Sequence, residues 1–153
     1  MIKLIKSHQK LTLDGIEKFE RENKVKLSEN YIKFLLKWNG GKPRPGNVFK
    51  IDGYGESVLN VFNGIGDMYD NLTDIIDIYE YRLPKGFIPI GDDPGGNAIL
   101  LGTLEPHDDH IYFWDHENES DLDEPDMSNM YFLADNIWGF LDKLYEDEAD
   151  EEE

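Results

Sequence analysis

The stretch GDDPGGNAILL, residues 91–101, has residue types that could hold a phosphate or a metal ion. A phosphate loop needs GxxxxGK[ST], or GxGxxG at the start of a helix. Neither pattern is present, and Asp92 and Asp93 would repel a phosphate. A calcium loop needs oxygen ligands at positions 1, 3, 5 and 12, whereas DDPGGNAILLGT, residues 92–103, has aspartate only at its positions 1 and 2. We therefore predict a tight turn between two strands, with positive φ at Gly95 and Gly96.

The run HDDH, residues 107–110, resembles a metal cluster, and His116 and Glu117 follow it. His107 and His110 could chelate an ion from one loop, but a protein metal site usually has at least a third fixed ligand. The chain contains no cysteine, which excludes disulfides, zinc–thiolate sites and a thiol nucleophile. We predict a solvated turn here, and neither a metal nor a cofactor for the protein.

The residues that could catalyse a reaction form no recognisable pattern. The 33 carboxylates supply acidic pairs by chance alone, so a pair suited to glycoside hydrolysis stays open on the sequence. None of the five serines lies in GxSxG, and nothing supports a Ser-His-Asp triad. We predict that the protein is not an enzyme.

The overall charge indicates which partners to expect. The chain has 153 residues, which suits one domain, and 15 basic against 33 acidic residues give a net charge of −18. Binding to nucleic acid or to an anionic membrane needs a basic surface and is not expected, whereas basic proteins are attracted.

The N-terminus lacks the apolar run of a signal peptide. No apolar run approaches the roughly 18 residues of a membrane span. We expect a cytoplasmic protein.

The spacing of apolar residues predicts four helices. They span residues 13–23, 29–38, 71–81 and 136–146. Thr12 and Ser28 can cap the first two helices, and Asp135 or Asn136 the last.

Short β-type runs separated by Gly, Pro, Asn and Asp occupy the middle of the chain. They are NVFKI, SVLNVFNGI, GFIPIG, NAILLG, HIYFWDH and MYFL. This order predicts a single α+β domain with a mainly antiparallel sheet, flanked by an N-terminal helix pair, a middle helix and a C-terminal helix. We expect the domain to cover residues 1–146, with an acidic disordered tail at 147–153 and an unstructured acidic segment at 117–126.

Four motifs in order resemble the SUKH superfamily of Smi- and Knr-like proteins. IEKFERENKVKLSENYIKFLLKWNGGKP resembles the opening helix pair of that family, although Ser28 stands where proline is common. FIPIGDDPGGNAILL resembles its central strand–turn–strand signature, with Pro94 as an additional residue. IYFWDHE resembles the next strand, and LADNIWGFLDKL the terminal helix. The resemblance covers residues 16–145.

The resemblance implies an α+β fold without an established catalytic site. Many bacterial members are immunity proteins, or antitoxins, which bind and neutralise toxin domains that are often nucleases, and other members are adaptor or regulatory modules. We therefore expect an immunity protein against a basic toxin, with an adaptor module as the alternative from the same fold. An enzyme or small-ligand binder would instead show a deep pocket lined by converging polar groups.

The residues that we expect to contact the partner lie in three segments that flank strands. Because antiparallel strands end beside one another, we expect these segments to meet. The residues are Asp92 and Asp93 in the glycine turn, Asp108 and Asp109 in the next loop, Trp114 in the following strand, and Glu117 after it.

Overall fold

The computed structural model describes residues 2–121 and 123–147. Residues 148–153 of the predicted acidic tail lie outside the described residues, as does Leu122 in the predicted acidic segment.

The centre of the fold is a five-stranded sheet whose strands follow the chain order. Every neighbouring pair is antiparallel, as predicted. The strands are β5 (Val61–Phe62), β6 (Phe87–Asp92), β7 (Ala98–Gly102), β8 (Ile111–Trp114) and β9 (Met130–Ala134).

Two small antiparallel sheets accompany the central one. β1 (Lys3–Ile5) pairs with β2 (Lys42–Arg44), and β3 (Val48–Ile51) pairs with β4 (Gly55–Val58). The run SVLNVFNGI was predicted as one strand, but it is divided between β4 and β5 because the chain changes sheets there. The Leu59 amide donates to Asn47 O at 2.7 Å beside β3, whereas the next amide, of Asn60, donates to Asp92 O at 2.8 Å beside β6.

Four α-helices are present within the described residues, as predicted. They are α1 (Leu13–Asn23), α2 (Glu29–Lys37), α3 (Leu72–Ile78) and α4 (Ile137–Asp142). The side chains of Thr12, Ser28 and Asn136 cap α1, α2 and α4 by accepting a hydrogen bond from a backbone amide of the first turn.

The two later helices are shorter than the sequence predicts. The chain leaves α4 early because the amide and carbonyl of Tyr145 pair with those of Val48, both at 3.0 Å, and add a short bridge beside β3. α3 ends at Ile78 with Tyr79 as its C-cap, and two residues after the cap Tyr81 has a φ of 68°. Apolar spacing continues past both ends, so it does not reveal where each helix stops.

The inner strands β6, β7 and β8 of the central sheet are buried on both faces, which explains their nearly continuous apolar runs. One face carries Ile90, Ile99 and Phe113 and packs with the buried residues of α1, α2 and α4. The other face carries a smaller cluster around Leu100 and Trp114. These layers form a single α+β domain, as predicted. No helix within the described ranges has the length and apolarity needed to cross a membrane.

Candidate partner-binding surface

Asp93 organises the turn between β6 and β7. Its side chain is buried, and its Oδ1 accepts hydrogen bonds from the backbone amides of Gly95 at 2.9 Å and Asn97 at 2.8 Å. Its Oδ2 accepts from Asn97 Nδ2 at 2.9 Å and from Ser57 Oγ at 2.7 Å. The predicted turn between neighbouring strands is thus confirmed. In this arrangement the carboxylate of Asp93 holds the turn together and is turned away from solvent.

The two glycines of this turn differ in conformation. Gly96 has a φ of 91°, as predicted. The prediction of a positive φ at Gly95 is wrong, because Gly95 lies outside the left-handed region. Its amide instead donates to the Asp93 carboxylate, so a side-chain turn makes the first part of the reversal.

The pKa values of the two neighbouring aspartates shift in opposite directions. Burial raises the pKa of Asp93, but the hydrogen bonds from Asn97, Ser57 and the backbone lower it more, so the pKa lies below its ordinary value. Burial raises the pKa of Asp92, the hydrogen bond from Asn60 Nδ2 opposes this rise, and the negative charge of Asp70 adds to it. Asp92 is half-buried. Asp93 therefore faces Ser57 of β4, whereas Asp92 faces Asn60, between β4 and β5.

The glycine turn meets the end of β8. Asn97 Oδ1 accepts from the backbone amide of His116 at 3.0 Å, and Asp115 Oδ1 accepts from the amide of Glu117 at 3.1 Å. Glu117 is exposed. Burial raises the pKa of Tyr54, and the charges of Asp115, Glu117 and Asp93 raise it further. These acidic groups therefore lie near one another at this end of the sheet.

The loop with Asp108 and Asp109 lies at the opposite end of the sheet, because β7 carries the chain away from the glycine turn and β8 brings it back. Asp108 is exposed. Asp109, with a φ of 73°, accepts from Ser28 Oγ at 2.6 Å and from Asn30 Nδ2 at 2.8 Å, which fixes the loop to the start of α2. The expectation that all three segments meet is therefore wrong, since only the glycine turn and the segment after β8 do.

Trp114 has no exposed surface. The ring of Tyr79 stands edge-on to it at 5.3 Å between centroids, and the Arg82 guanidinium carbon lies 5.3 Å from the ring centroid. Arg82 also forms a two-bond ion pair with Glu119, at 3.0 and 2.9 Å. Trp114 thus supports the second face of the sheet from within. Part of the acidic segment predicted to be unstructured is instead held against this face.

The two histidines of the HDDH run lie beside an aromatic cluster. His107 Nδ1 is 3.0 Å from the Tyr112 hydroxyl, and the His110 ring stands edge-on to Phe132 at 5.6 Å. Among residues 2–121 and 123–147, no group of three or more His, Cys, Asp or Glu side chains is placed to hold a metal ion.

Two surface grooves have volumes of about 640 and 630 Å³. The first contains Lys50, Asp52 and Lys143, and the second contains Lys18 and Glu22. Both linings mix charges of opposite sign, which is ordinary for grooves on a charged surface.

Sequence reasoning missed three polar side chains that hold segments together. Asn39 donates to Gln9 O at 2.8 Å and Ile65 O at 2.9 Å, and accepts from the Ile65 amide at 2.8 Å. Asn97 links the glycine turn to the segment after β8, and Arg82 links the chain after α3 to the same segment. The signal for both asparagines is their position beside a glycine pair, in NGG and GGN. No local pattern marks Arg82, because its partner lies 37 residues away.

Comparison with known proteins identifies the family. The profile of the SMI1 / KNR4 family (SUKH-1) matches residues 10–143. The chain belongs to this family. It is also 31% identical to the SPbeta prophage-derived protein YokK of Bacillus subtilis (strain 168), over 93% of this chain and 80% of YokK.

Membership in SUKH-1 agrees with the four motifs identified in the sequence. The family match spans both N-terminal helices, the glycine turn, β8 and α4. In this SUKH-1 protein the GDDPGGN signature has a structural explanation, because its second aspartate and its asparagine hold the turn and join it to the neighbouring strand.

Proposed function

We propose that this SUKH-1 protein is a cytoplasmic immunity protein that binds and neutralises a toxin domain. The observation that carries the proposal is the family membership of almost the whole chain. The relative YokK is derived from a prophage, and a mobile element of this kind is a suitable carrier for a paired toxin and immunity gene.

The charge of the molecule supports a basic partner. The net charge is −18, and an acidic surface attracts basic proteins while it repels nucleic acid. Nucleases bind phosphates and therefore carry basic active-site clefts, so a nuclease domain is the toxin class that we propose. An acidic inhibitor can block such a cleft without any catalytic group of its own.

The residues predicted to contact the partner divide into two groups. Asp108 and Glu117 are exposed and Asp92 is half-buried, so their carboxylates can form ion pairs with a basic surface. Asp93 and Trp114 are buried and Asp109 is bound to α2. We propose that these three contribute by holding neighbouring segments in place.

A growth experiment tests the proposal. Each open reading frame beside this gene is expressed alone from an inducible promoter, and then together with this protein. We expect one product to arrest growth and this protein to relieve the arrest. The matched control is Phe113→Asp, which places a charge in a fully buried position and should abolish both folding and rescue.

A neighbouring product that arrests growth with or without this protein would contradict the proposal. A neighbour that binds this protein but has no toxicity would favour the adaptor alternative, because adaptors of the same fold bind partners without neutralising them.

A further inference from the structure

Apolar side chains are unusually exposed on and beside α3. Tyr69 is 94% exposed, Tyr81 is 82% exposed and Ile78 is 59% exposed. A partner that covers such side chains removes apolar surface from water, which favours binding, and exposed apolar patches often mark protein interaction sites. We call residues 66–81 and Asp92 the α3 surface.

Residues 66–81 of the α3 surface are acidic, whereas Lys24 and Lys85 line the groove beside Tyr81. Residues 66–81 contain five acidic residues and no Lys, Arg or His. The acidic residues are Asp67, Asp70, Asp74, Asp77 and Glu80, of which all but the half-buried Asp70 are exposed. The next residue, Arg82, is engaged by Glu119 and by the rings of Tyr79 and Trp114. Its charge is thus partly neutralised within the protein.

Tyr81 adopts a backbone conformation that glycine or asparagine adopts more readily than tyrosine does. Its φ is 68°, which places a bulky side chain in the left-handed region. The turn is held by the Tyr79 carbonyl, which accepts from the amides of Arg82 at 2.9 Å and Leu83 at 3.3 Å. Because the Tyr81 ring is exposed, packing within the chain does not explain why tyrosine occupies this position. Unfavourable conformations of this kind tend to occur where a side chain serves binding.

We propose that the α3 surface binds a basic domain of the partner, with Tyr69, Ile78 and Tyr81 as apolar anchors and the carboxylates as an acidic rim. The inference rests on the proposed function, since it names the surface that would contact the toxin. Tyrosine anchors surrounded by charged groups are typical of binding hot spots. A second copy of this chain does not fit as the occupant, because two molecules of charge −18 repel each other.

Photo-crosslinking in the native host tests where the partner binds. The crosslinking residue p-benzoylphenylalanine replaces Tyr69, Tyr81 or, as the matched control, Phe132. Phe132 is 48% exposed and lies on β9, at the other edge of the sheet from the strands nearest α3. We expect crosslinks from positions 69 and 81 to a polypeptide rich in Lys and Arg, and none from position 132. Crosslinks from position 132 alone, or from no position, would overturn the inference.

The crosslinked polypeptide also separates this inference from the proposed function. If it arrests growth when expressed alone, and this protein relieves the arrest, both stand. If the polypeptide is crosslinked at positions 69 and 81 but is not toxic when it is expressed alone, the binding surface stands and the immunity function fails.

Variants of the α3 surface test the contribution of each group with the purified polypeptide. Asp77→Lys with Glu80→Lys should weaken binding about tenfold or more, because it places two cations opposite a basic surface. The control pair Asp135→Lys with Asp142→Lys makes the same charge change on either side of α4, before its N-cap and at its last residue, and should leave the affinity within about threefold. Equal losses from both pairs would contradict a localised surface.

Tyr81→Gly tests the anchor independently of folding. The variant should melt at a higher temperature, since glycine suits the positive φ, and should bind about tenfold more weakly, since the ring is lost. A variant that binds as tightly as the native protein would contradict the role of Tyr81.

Discussion

Gly95 and Gly96 are neighbours in one turn, yet we expect only Gly96 to be needed for stability. Gly96 has a φ of 91°, so Gly96→Ala should lower the free energy of unfolding by about 1 kcal/mol or more. A Cβ at Gly95 would lie 3.5 Å from Asp93 Oδ1, which is an ordinary contact distance. Gly95→Ala should therefore change the free energy of unfolding by less than about 0.5 kcal/mol. Chemical denaturation of both variants measures the difference. Equal losses would show that the φ of Gly96 is not the cause.

The opposite pKa shifts of Asp92 and Asp93 predict opposite effects of Asp→Asn substitution at neutral pH. Asp93→Asn should lower the free energy of unfolding by about 1–3 kcal/mol, because it removes a charged acceptor from buried donors. Asp92→Asn should leave it unchanged or raise it slightly, because burial disfavours the charged carboxylate. Urea denaturation at pH 7 compares the two variants. A larger loss for Asp92→Asn would contradict these assignments.

The pH dependence of the same variants follows from linkage. The folded pKa of Asp93 lies below its ordinary value of about 3.9. Its stabilisation is therefore complete above pH 3.9 and is lost as the pH falls through the folded pKa. The folded pKa of Asp92 is raised, so its charge opposes folding at neutral pH. Protonation removes that penalty as the pH falls through the raised pKa. The effects of both substitutions should thus shrink in acid.

At the level of single residues, the sequence predicted the glycine turn but not the structural role of Asp93. Gly and Pro residues indicate a reversal because their backbone preferences are local. The burial of Asp93 depends on Ser57, which is 36 residues away and belongs to another strand. Local patterns do not contain that information, so the carboxylate was expected to face a partner.

At the level of secondary-structure elements, the Arg82–Glu119 ion pair joins the chain after α3 to the segment after β8. Arg82→Lys should lower the free energy of unfolding by about 1 kcal/mol, because lysine loses both the two-bond geometry and the stacking on Tyr79. Both side chains are partly exposed, which keeps the effect modest.

A double-mutant cycle with Glu119→Gln measures the coupling in this ion pair directly. We expect the two substitutions to be non-additive by at least about 0.5 kcal/mol. Additive losses would show that the contact does not hold the two segments together. The matched control is the exposed Lys33–Glu29 pair of α2, for which we expect less than about 0.5 kcal/mol.

The sequence located the elements better than their ends. α1 and α2 have side-chain caps and apolar faces that are readable locally, and the structure confirms both. The ends of α3 and α4 depend on tertiary contacts, such as the pairing of Tyr145 with Val48. β1 and β2 were not predicted because each has only three residues and gains its partner from a distant part of the chain.

For the whole molecule, the charge of −18 should act mainly on the rate of association. With the purified toxin domain, the association rate constant should fall about tenfold or more between low and physiological salt, while dissociation changes less. Stopped-flow mixing at several salt concentrations measures both rates. A salt-independent association rate would contradict electrostatic attraction.

The terminal acidic residues should contribute less to association than the α3 surface. Removing residues 148–153 deletes five carboxylates, yet we expect less than about a twofold change, because we propose that the α3 surface carries the attraction and salt screens exposed charges that are not in contact with the partner. Asp77→Lys with Glu80→Lys should slow association more. A larger loss from the truncation would assign the attraction to the tail instead.

The most direct test of neutralisation is a titration of the purified toxin domain with this protein, with the activity of the toxin as the readout. Tight binding that blocks the active site predicts a linear fall in activity that ends at one equivalent of this protein. Phe113→Asp serves as the unfolded control. Toxin activity that persists in excess native protein would contradict the proposed function.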